Sequence, residues 1–135
     1  MEVRKYIGIP YVTGGNDFNG ADCYTICCLI SKNELNIELP DYSNLYADAS
    51  ITKEAQIGFA AWNTSLSSSW TEVTEPEVGD IIIFNFYGAP THCGFYIGDN
   101  KCLHASEGRG SYIAELYGSS WEHRIEGIMR FGTNS

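Results

Sequence analysis

Positive charge is scarce in this sequence, which has 8 Lys and Arg residues against 17 Asp and Glu residues and a formal net charge of −9. The few cations are dispersed and form no basic patch. Nucleic acids and anionic membranes bind clustered Lys and Arg, so neither is expected as a partner. Long apolar runs are also missing, and no segment approaches the roughly 20 apolar residues of a membrane-spanning helix.

Signals for secretion, disulfides and metal binding are absent as well. No apolar segment follows Met1 to Tyr6, so we expect synthesis in the cytoplasm without a secretory signal. The cysteine count is five, and an odd count without a signal argues against a disulfide framework. Cys27 and Cys28 are adjacent, and Cys93 and Cys102 match no standard zinc spacing, so we expect neither a metal nor a cofactor.

The remaining composition predicts one folded domain over residues 1–135, with 44% hydrophobic residues. Residues 3–9 are expected as a short helix or extended entry, and apolar residues predict a buried helix over residues 23–34 and a second helix over about 50–62. β-Branched and aromatic runs predict strands at 70–74, 81–87, 92–97, 101–105, 111–116 and 124–131. The predicted fold class is α+β, with N-terminal helices packed on a five- to six-stranded antiparallel sheet.

Cys23 is the candidate nucleophile. It follows a loop rich in Gly, Asn and Asp and opens the first predicted helix. Asp22 is a good N-cap, which would place Cys23 in the first turn, where the partial positive charge of the helix end favours a thiolate and a lowered pKa. The alternative is a buried structural cysteine, because free cysteines are among the most buried residues.

Two of the three histidines fall on one predicted hairpin. With a loop at Gly98-Asp99-Asn100, Gly94 faces His104, and His92 and His104 share one face of the sheet. This prediction requires an odd number of loop residues, because strand side chains alternate with period two. A satisfied histidine in a sheet is the usual explanation for either residue alone, but the pair together with Cys23 favours catalysis.

These residues define a cysteine-nucleophile site. His92 would take the thiol proton of Cys23, and His104 would orient the far ring nitrogen of His92. The backbone N–H of Cys23 would stabilise an oxyanion, with Tyr11 as a second donor. His123 lies in a polar stretch and is expected at the surface. The other four cysteines and the tryptophans Trp62, Trp70 and Trp121 are expected to pack in the core.

The motifs Ile9-Pro10-Tyr11-Val12-Thr13-Gly14-Gly15, Asp22-Cys23, Glu77-Val78-Gly79-Asp80-Ile81 and His92 to Ala105 resemble those of the NlpC-type cell-wall peptidases. The resemblance implies a papain-like core, catalytic Cys23, His92 and His104, and an assisting Tyr11. It also implies hydrolysis of peptidoglycan stem peptides between D-glutamate and the following diamino acid. Asp22, Tyr11 and Tyr24 are the expected oxyanion and substrate contacts.

Tyr24-Thr25 stands where many members have Ser-Gly. This departure, the stretch at residues 36–43 and the ending at 124–130 resemble the branch associated with bacteriophage tails. Tail proteins are therefore expected partners beside peptidoglycan, and a virion or tail acting at the cell wall is the expected location. The alternatives are a non-catalytic tail protein with the same fold, a cysteine amidase or acyltransferase on another substrate, and, more distantly, a zinc hydrolase.

Overall fold

The computed structural model describes residues 1–40, 70–86 and 88–132. The helix predicted over residues 50–62, together with Trp62, lies outside these residues. No helix within the described ranges has the length and apolar character needed to cross a membrane.

The main element of the fold is a six-stranded antiparallel sheet. Its strands are β3 (Trp70–Val73), β4 (Ile81–Phe86), β5 (Ala89–Gly98), β6 (Lys101–Ser106), β7 (Gly110–Glu115) and β8 (Ile125–Phe131). Their order in the sheet is β3-β8-β4-β5-β6-β7, so β8 returns from the chain end to lie between β3 and β4. All six predicted strands are present, with bounds that agree to within three residues.

Helical structure is more limited than the sequence predicts. The described residues contain one α-helix, α1 (Thr25–Leu35), beside a small two-stranded sheet of β1 (Asn16–Asp17) and β2 (Gly20–Ala21). Residues 3–9, expected as a short helix or an extended entry, contain one 3-10 turn at Arg4–Tyr6. Ile7 follows in an extended conformation, with φ of −89° and ψ of 136°, so the turn ends there. The expectation of several N-terminal helices is therefore wrong for the described residues, where sheet predominates.

The sheet buries apolar side chains on both faces. One face carries Ile81, Ile83, Cys93 and Phe95 and packs against α1, forming the larger core cluster. The opposite face carries a smaller cluster that includes Ile82 and Phe84, with Trp121 packed against it. Strand alternation therefore divides the residues of β5 between a helix-covered face and an aromatic face.

Candidate active site

The segment that presents Cys23 is built around the Asp22 carboxylate. Asp22 Oδ1 accepts the backbone N–H groups of Tyr24 and Thr25 at 3.1 and 2.9 Å. The Asp22 carbonyl accepts the Ile26 N–H at 3.1 Å, as an N-cap carbonyl does. Asp22 thus binds the N–H groups that a cap residue would bind, but α1 begins at Thr25 with Tyr24 as its N-cap residue. Cys23 lies in the turn two residues ahead of the helix, so its predicted position in the first helical turn is wrong.

A second bond of Asp22 ties this turn to the glycine-rich loop, since Oδ2 accepts the Gly14 N–H at 2.8 Å. The carboxylate is fully buried and serves the chain itself. Its expected contact with substrate stays a prediction.

The thiol of Cys23 lies among other thiols. Cys27 Sγ and Cys93 Sγ each donate to the Cys23 carbonyl at 3.3 Å, and all three residues are fully buried. The hydrogen bond with the Cys93 thiol, followed by burial, raises the pKa of the Cys23 thiol well above its ordinary value. The expected lowering of this pKa is therefore wrong for this conformation, because a neighbouring thiol and dehydration outweigh the helix end.

One contact of the Cys23 thiol acts in the opposite direction. The backbone N–H of Cys93 lowers the Cys23 pKa, which puts the sulfur against the peptide that joins His92 to Cys93. Cys23 thus adjoins β5 at the His92–Cys93 peptide, on the face that packs against α1, whereas the His92 and His104 imidazoles lie on the aromatic face. Within the described part of the chain, no hydrogen bond links the Cys23 thiol to the His92 imidazole, and no acceptor takes the Cys23 backbone N–H.

The β5–β6 hairpin differs from its prediction in one detail that leaves the register intact. Gly98 pairs with Lys101, so the loop has two residues, Asp99 and Asn100, both with positive φ. An even loop alone would turn His92 and His104 to opposite faces. A bulge between Tyr96 and Gly98 adds one residue on β5 and restores the phase. The predicted odd loop is therefore wrong, but the predicted shared face is correct.

His92 and His104 meet directly. His92 Nε2 and His104 Nδ1 are 2.9 Å apart, and the two ring planes differ by 10°. Gly94 provides the space, because a Cβ there would lie 3.1 Å from His104 Nδ1. Burial lowers the pKa of His92 to about 4. Burial, then His92 and Arg109, lower the pKa of His104 well below its ordinary value, so both imidazoles are neutral at pH 7.

Aromatic rings enclose this histidine pair. The Trp121 ring centroid lies 4.1 Å from that of His104 and 5.5 Å from that of His92, stacked on both. The Phe84 ring centroid lies 5.2 Å from that of His104 and 5.8 Å from that of His92. Tyr112 stacks on His104 and Phe86 meets His92 edge-on. These rings keep water away from the pair, which explains the low pKa values.

The two tyrosines predicted near the nucleophile have different surroundings. Tyr11 forms an isolated bridge with Ala21, one residue before Asp22, and its phenolic oxygen is buried. Tyr24 is buried and its hydroxyl donates to the Pro40 carbonyl at 2.9 Å. Tyr24 is held by contacts with the chain, so its role toward substrate stays a prediction.

Two residues assigned to the core by their sequence context belong to this site. Cys93 contacts Cys23, and Trp121 covers both histidines. The pairing of Phe84 with His92 across β4 and β5 follows from strand alternation, but the position of Trp121 has no comparable local signal. His123 is exposed, as expected, and no cluster of metal-binding side chains occurs among the residues described.

A cysteine ahead of a helix, packed on an antiparallel sheet that carries a paired histidine, is the arrangement of the papain-like fold. The model of the NlpC/P60 family matches residues 8–130, and the chain belongs to this family.

Among solved structures, an NlpC/P60 family protein from Bacillus cereus ATCC 10987 aligns with a TM-score of 0.64 and 22% identity, covering 93% of this chain and 36% of that one. The NlpC/p60 domain of the peptidoglycan hydrolase SagA aligns with a TM-score of 0.59 and 18% identity, covering 94% of this chain and 91% of that one. At these identities, the two alignments show that the fold is shared.

The curated relatives that match this chain are longer proteins, and the match covers only part of each. "Probable peptidoglycan endopeptidase LytE" of Bacillus subtilis is 29% identical over 134 residues, covering 96% of this chain and 33% of that protein. The murein DD-endopeptidase and LD-carboxypeptidase MepS of Escherichia coli K12 is 25% identical, covering 91% of this chain and 56% of that protein. The chain thus spans between a third and about half of these relatives.

Proposed function

We propose that this chain is a cysteine endopeptidase that hydrolyses amide bonds in the stem peptides of peptidoglycan, between D-glutamate and the diamino acid that follows. The observation that carries the proposal is the 2.9 Å contact of His92 Nε2 with His104 Nδ1, on the strand that Cys23 adjoins. The names of relatives that act on peptidoglycan support the substrate class.

The 2.9 Å contact of the pair fits either tautomer, and the proposal places its proton on His92 Nε2. With His92 Nε2–H donating to His104 Nδ1, the other nitrogen of His92, Nδ1, is free to accept a proton. The Cys23 thiol and the His92 imidazole lie on opposite sides of β5 in this structure, so the proposed transfer requires a rearrangement of the Cys23 turn or of β5 that brings the S–H to this base. Removing the Cys93 hydrogen bond and gaining a base both favour the thiolate.

The reaction then follows the order of acyl transfer. Cys23 sulfur attacks the amide carbon, and the Cys23 backbone N–H, which no acceptor in the described residues takes, donates to the oxyanion. His92 returns the proton to the leaving amine as the C–N bond breaks, leaving a thioester. Water, deprotonated by His92, cleaves the C–S bond and releases the carboxylic acid and the Cys23 thiol.

The route to the cell wall is part of the proposal. The Tyr24-Thr25 pair and residues 36–43 support a bacteriophage tail-associated enzyme, with tail proteins as partners that bring it to peptidoglycan. The net charge of −9 supports delivery by a partner, because cell walls generally carry anionic groups that repel the domain.

Substitution of the three residues tests the activity. Cys23→Ala should abolish release of peptides from purified stem peptides, measured by mass spectrometry, while the circular dichroism spectrum stays unchanged. His92→Ala should be comparably inactive, and His104→Ala should keep more activity because water can partly replace an orienting imidazole. Hydrolysis that survives in Cys23→Ala would reject a cysteine peptidase, and no hydrolysis by the unmodified chain would favour a non-catalytic tail protein.

A further inference from the structure

Among the described residues, Trp121 is the one ring that stacks on both histidines. Its ring plane is inclined by 21° to His104 and 27° to His92, so the indole lies over the hydrogen-bonded pair as a cover. The Trp121 ring also packs edge-on with Phe84 and Phe86, at ring-centroid distances of 5.0 and 5.9 Å. These two phenylalanines contact His92 from the sheet, so the imidazoles lie between β4 and the indole.

The turn that carries Trp121 is fixed by hydrogen bonds. Ser119 Oγ accepts the Trp121 N–H at 3.1 Å and lies 2.8 Å from the carbonyls of Glu115 and Leu116. The Trp121 carbonyl accepts the Arg124 N–H at 3.0 Å. The backbone of Trp121 is therefore fixed on both sides, although the residue lies outside the described strands and is half-buried.

We propose that Trp121 is a positioning residue of the peptidase site, which aligns the His92–His104 pair and keeps water from it. This inference rests on the proposed function. A large flat ring over two nearly coplanar imidazoles restricts rotation of both about their Cβ–Cγ bonds. It also excludes water that would compete for His92 Nε2 and His104 Nδ1. The pair then keeps the alignment that leaves His92 Nδ1 as the base.

The charged groups near the histidine pair are not the main cause of its low pKa values. Arg109 acts on His104 and lies over the Tyr112 ring, with 3.6 Å from its guanidinium carbon to the ring centroid. Arg124 lies over Phe86 at 4.1 Å. The Tyr112 hydroxyl is bonded to Ser106 at 3.0 Å. Among the described residues no carboxylate pairs with either imidazole, so the covering rings are the main influence on their protonation.

The test compares Trp121→Leu and Trp121→Phe with Trp70→Phe. Trp70 is a buried tryptophan on β3 that packs against Phe131 and is remote in the sheet order from β5 and β6, so it controls for loss of an indole. The first measurement is a nuclear magnetic resonance titration of labelled histidine in a Cys23→Ala background, which does not depend on activity. The second is kcat and KM against pH on soluble stem peptides.

We expect the His92 pKa to rise by more than about one pH unit in Trp121→Leu, because water reaches the ring. Trp121→Phe should give a smaller rise and Trp70→Phe none. Loss of alignment should lower kcat roughly tenfold in Trp121→Leu with little change in KM. The acid limb of the kcat profile should move to higher pH, together with the His92 pKa.

An unchanged His92 titration in Trp121→Leu would overturn the proposal, as would a rise equal to that in Trp70→Phe. If Trp121→Leu does not fold, the same titration of Trp121→Phe decides. We then expect its His92 pKa to lie above that of the unmodified chain. A titration that moves as expected in a protein without peptidase activity would uphold the alignment by Trp121 and reject the proposed function alone.

Discussion

Among single residues, Cys93 has the most direct influence on the nucleophile. Its thiol hydrogen bond raises the pKa of Cys23, so the resting thiol is expected to react slowly with iodoacetamide at pH 7. The sequence alone predicts the opposite, a lowered pKa of Cys23 at the helix end. The difference arises because the helix end is a local feature, whereas the Cys93 contact joins residues 70 positions apart.

Cys93→Ala should therefore increase the rate at which iodoacetamide modifies Cys23. Loss of the thiol contact lowers the Cys23 pKa, and each pH unit of lowering raises the thiolate fraction about tenfold below the pKa. Peptide mapping by mass spectrometry measures the rate. Cys102→Ala, on the opposite face of the sheet, is the matched control and should leave the rate unchanged. An equal rate in Cys93→Ala would show that this contact does not restrain Cys23.

The buried histidines make stability depend on pH. The unfolded chain binds a proton at His92 near the ordinary pKa of 6.5, while the folded chain does so only at about 4. Unfolding therefore takes up a proton between these values, and stability falls as the pH falls through this window. Above pH 6.5 both states are neutral and the effect is absent.

Between pH 7.5 and pH 4.5, proton uptake at His92 should lower the free energy of unfolding by about 2 kcal/mol. Urea denaturation at both pH values measures it. His92→Gln should reduce the loss, because the group that takes up the proton is gone. His123→Gln, at an exposed position, should keep the full loss. The same loss in His92→Gln would assign the pH dependence to other groups.

Among the elements, the β5–β6 hairpin determines the site. Its two turn residues have φ values of 53° and 61°, which suit the tight hairpin turn that follows the twist of the strands. Asn100 also binds the turn that leads to Trp121, accepting the Tyr117 N–H at 2.8 Å and donating to the Tyr117 carbonyl at 2.9 Å. The hairpin thus connects the histidine strands to the covering indole.

Asn100→Gly should fit the turn but lose both bonds to Tyr117. We expect a loss of about 1 kcal/mol in the free energy of unfolding, measured by urea denaturation. Asp99→Gly is the control, because Asp99 also has a positive φ and its exposed side chain binds, among the described residues, Lys101 alone. Equal stabilities of the two variants would show that the Tyr117 contacts contribute nothing.

For the molecule as a whole, the charge of −9 is the dominant property. Under the proposed function, repulsion from an anionic wall would slow encounter, and it is screened beyond a Debye length of about 8 Å in physiological salt. A partner or module that holds the domain at the wall raises its effective concentration to the millimolar range without changing the active site.

Fusion to a wall-binding module should therefore raise the rate of hydrolysis on intact sacculi and leave the rate on soluble stem peptides unchanged. Release of soluble peptides from both substrates measures the two rates. A module without wall affinity, fused in the same position, controls for size. Equal rates on sacculi for the free and fused domains would show that the domain reaches the wall unaided.

The sequence by itself determined the features that depend on neighbours along the chain. β-Branched runs gave the six strands, because alternation on a pleated sheet needs only adjacent residues. The bonds of Asp22 to backbone N–H groups near the start of α1 followed from the residue types there, and the shared face of His92 and His104 followed from a short hairpin. The bulge that compensates for the two-residue loop was not predictable, since its cost depends on packing.

Only the tertiary structure decided the environment of the catalytic groups. The contact between Cys23 and Cys93 and the position of Trp121 over the histidines join residues far apart in the chain. Strand β8 enters the sheet between β3 and β4, and the turn ahead of it carries Trp121 onto the aromatic face. A pattern of residue types does not encode such long-range placement, yet burial and neighbours from these contacts set the pKa values of the thiol and the imidazoles.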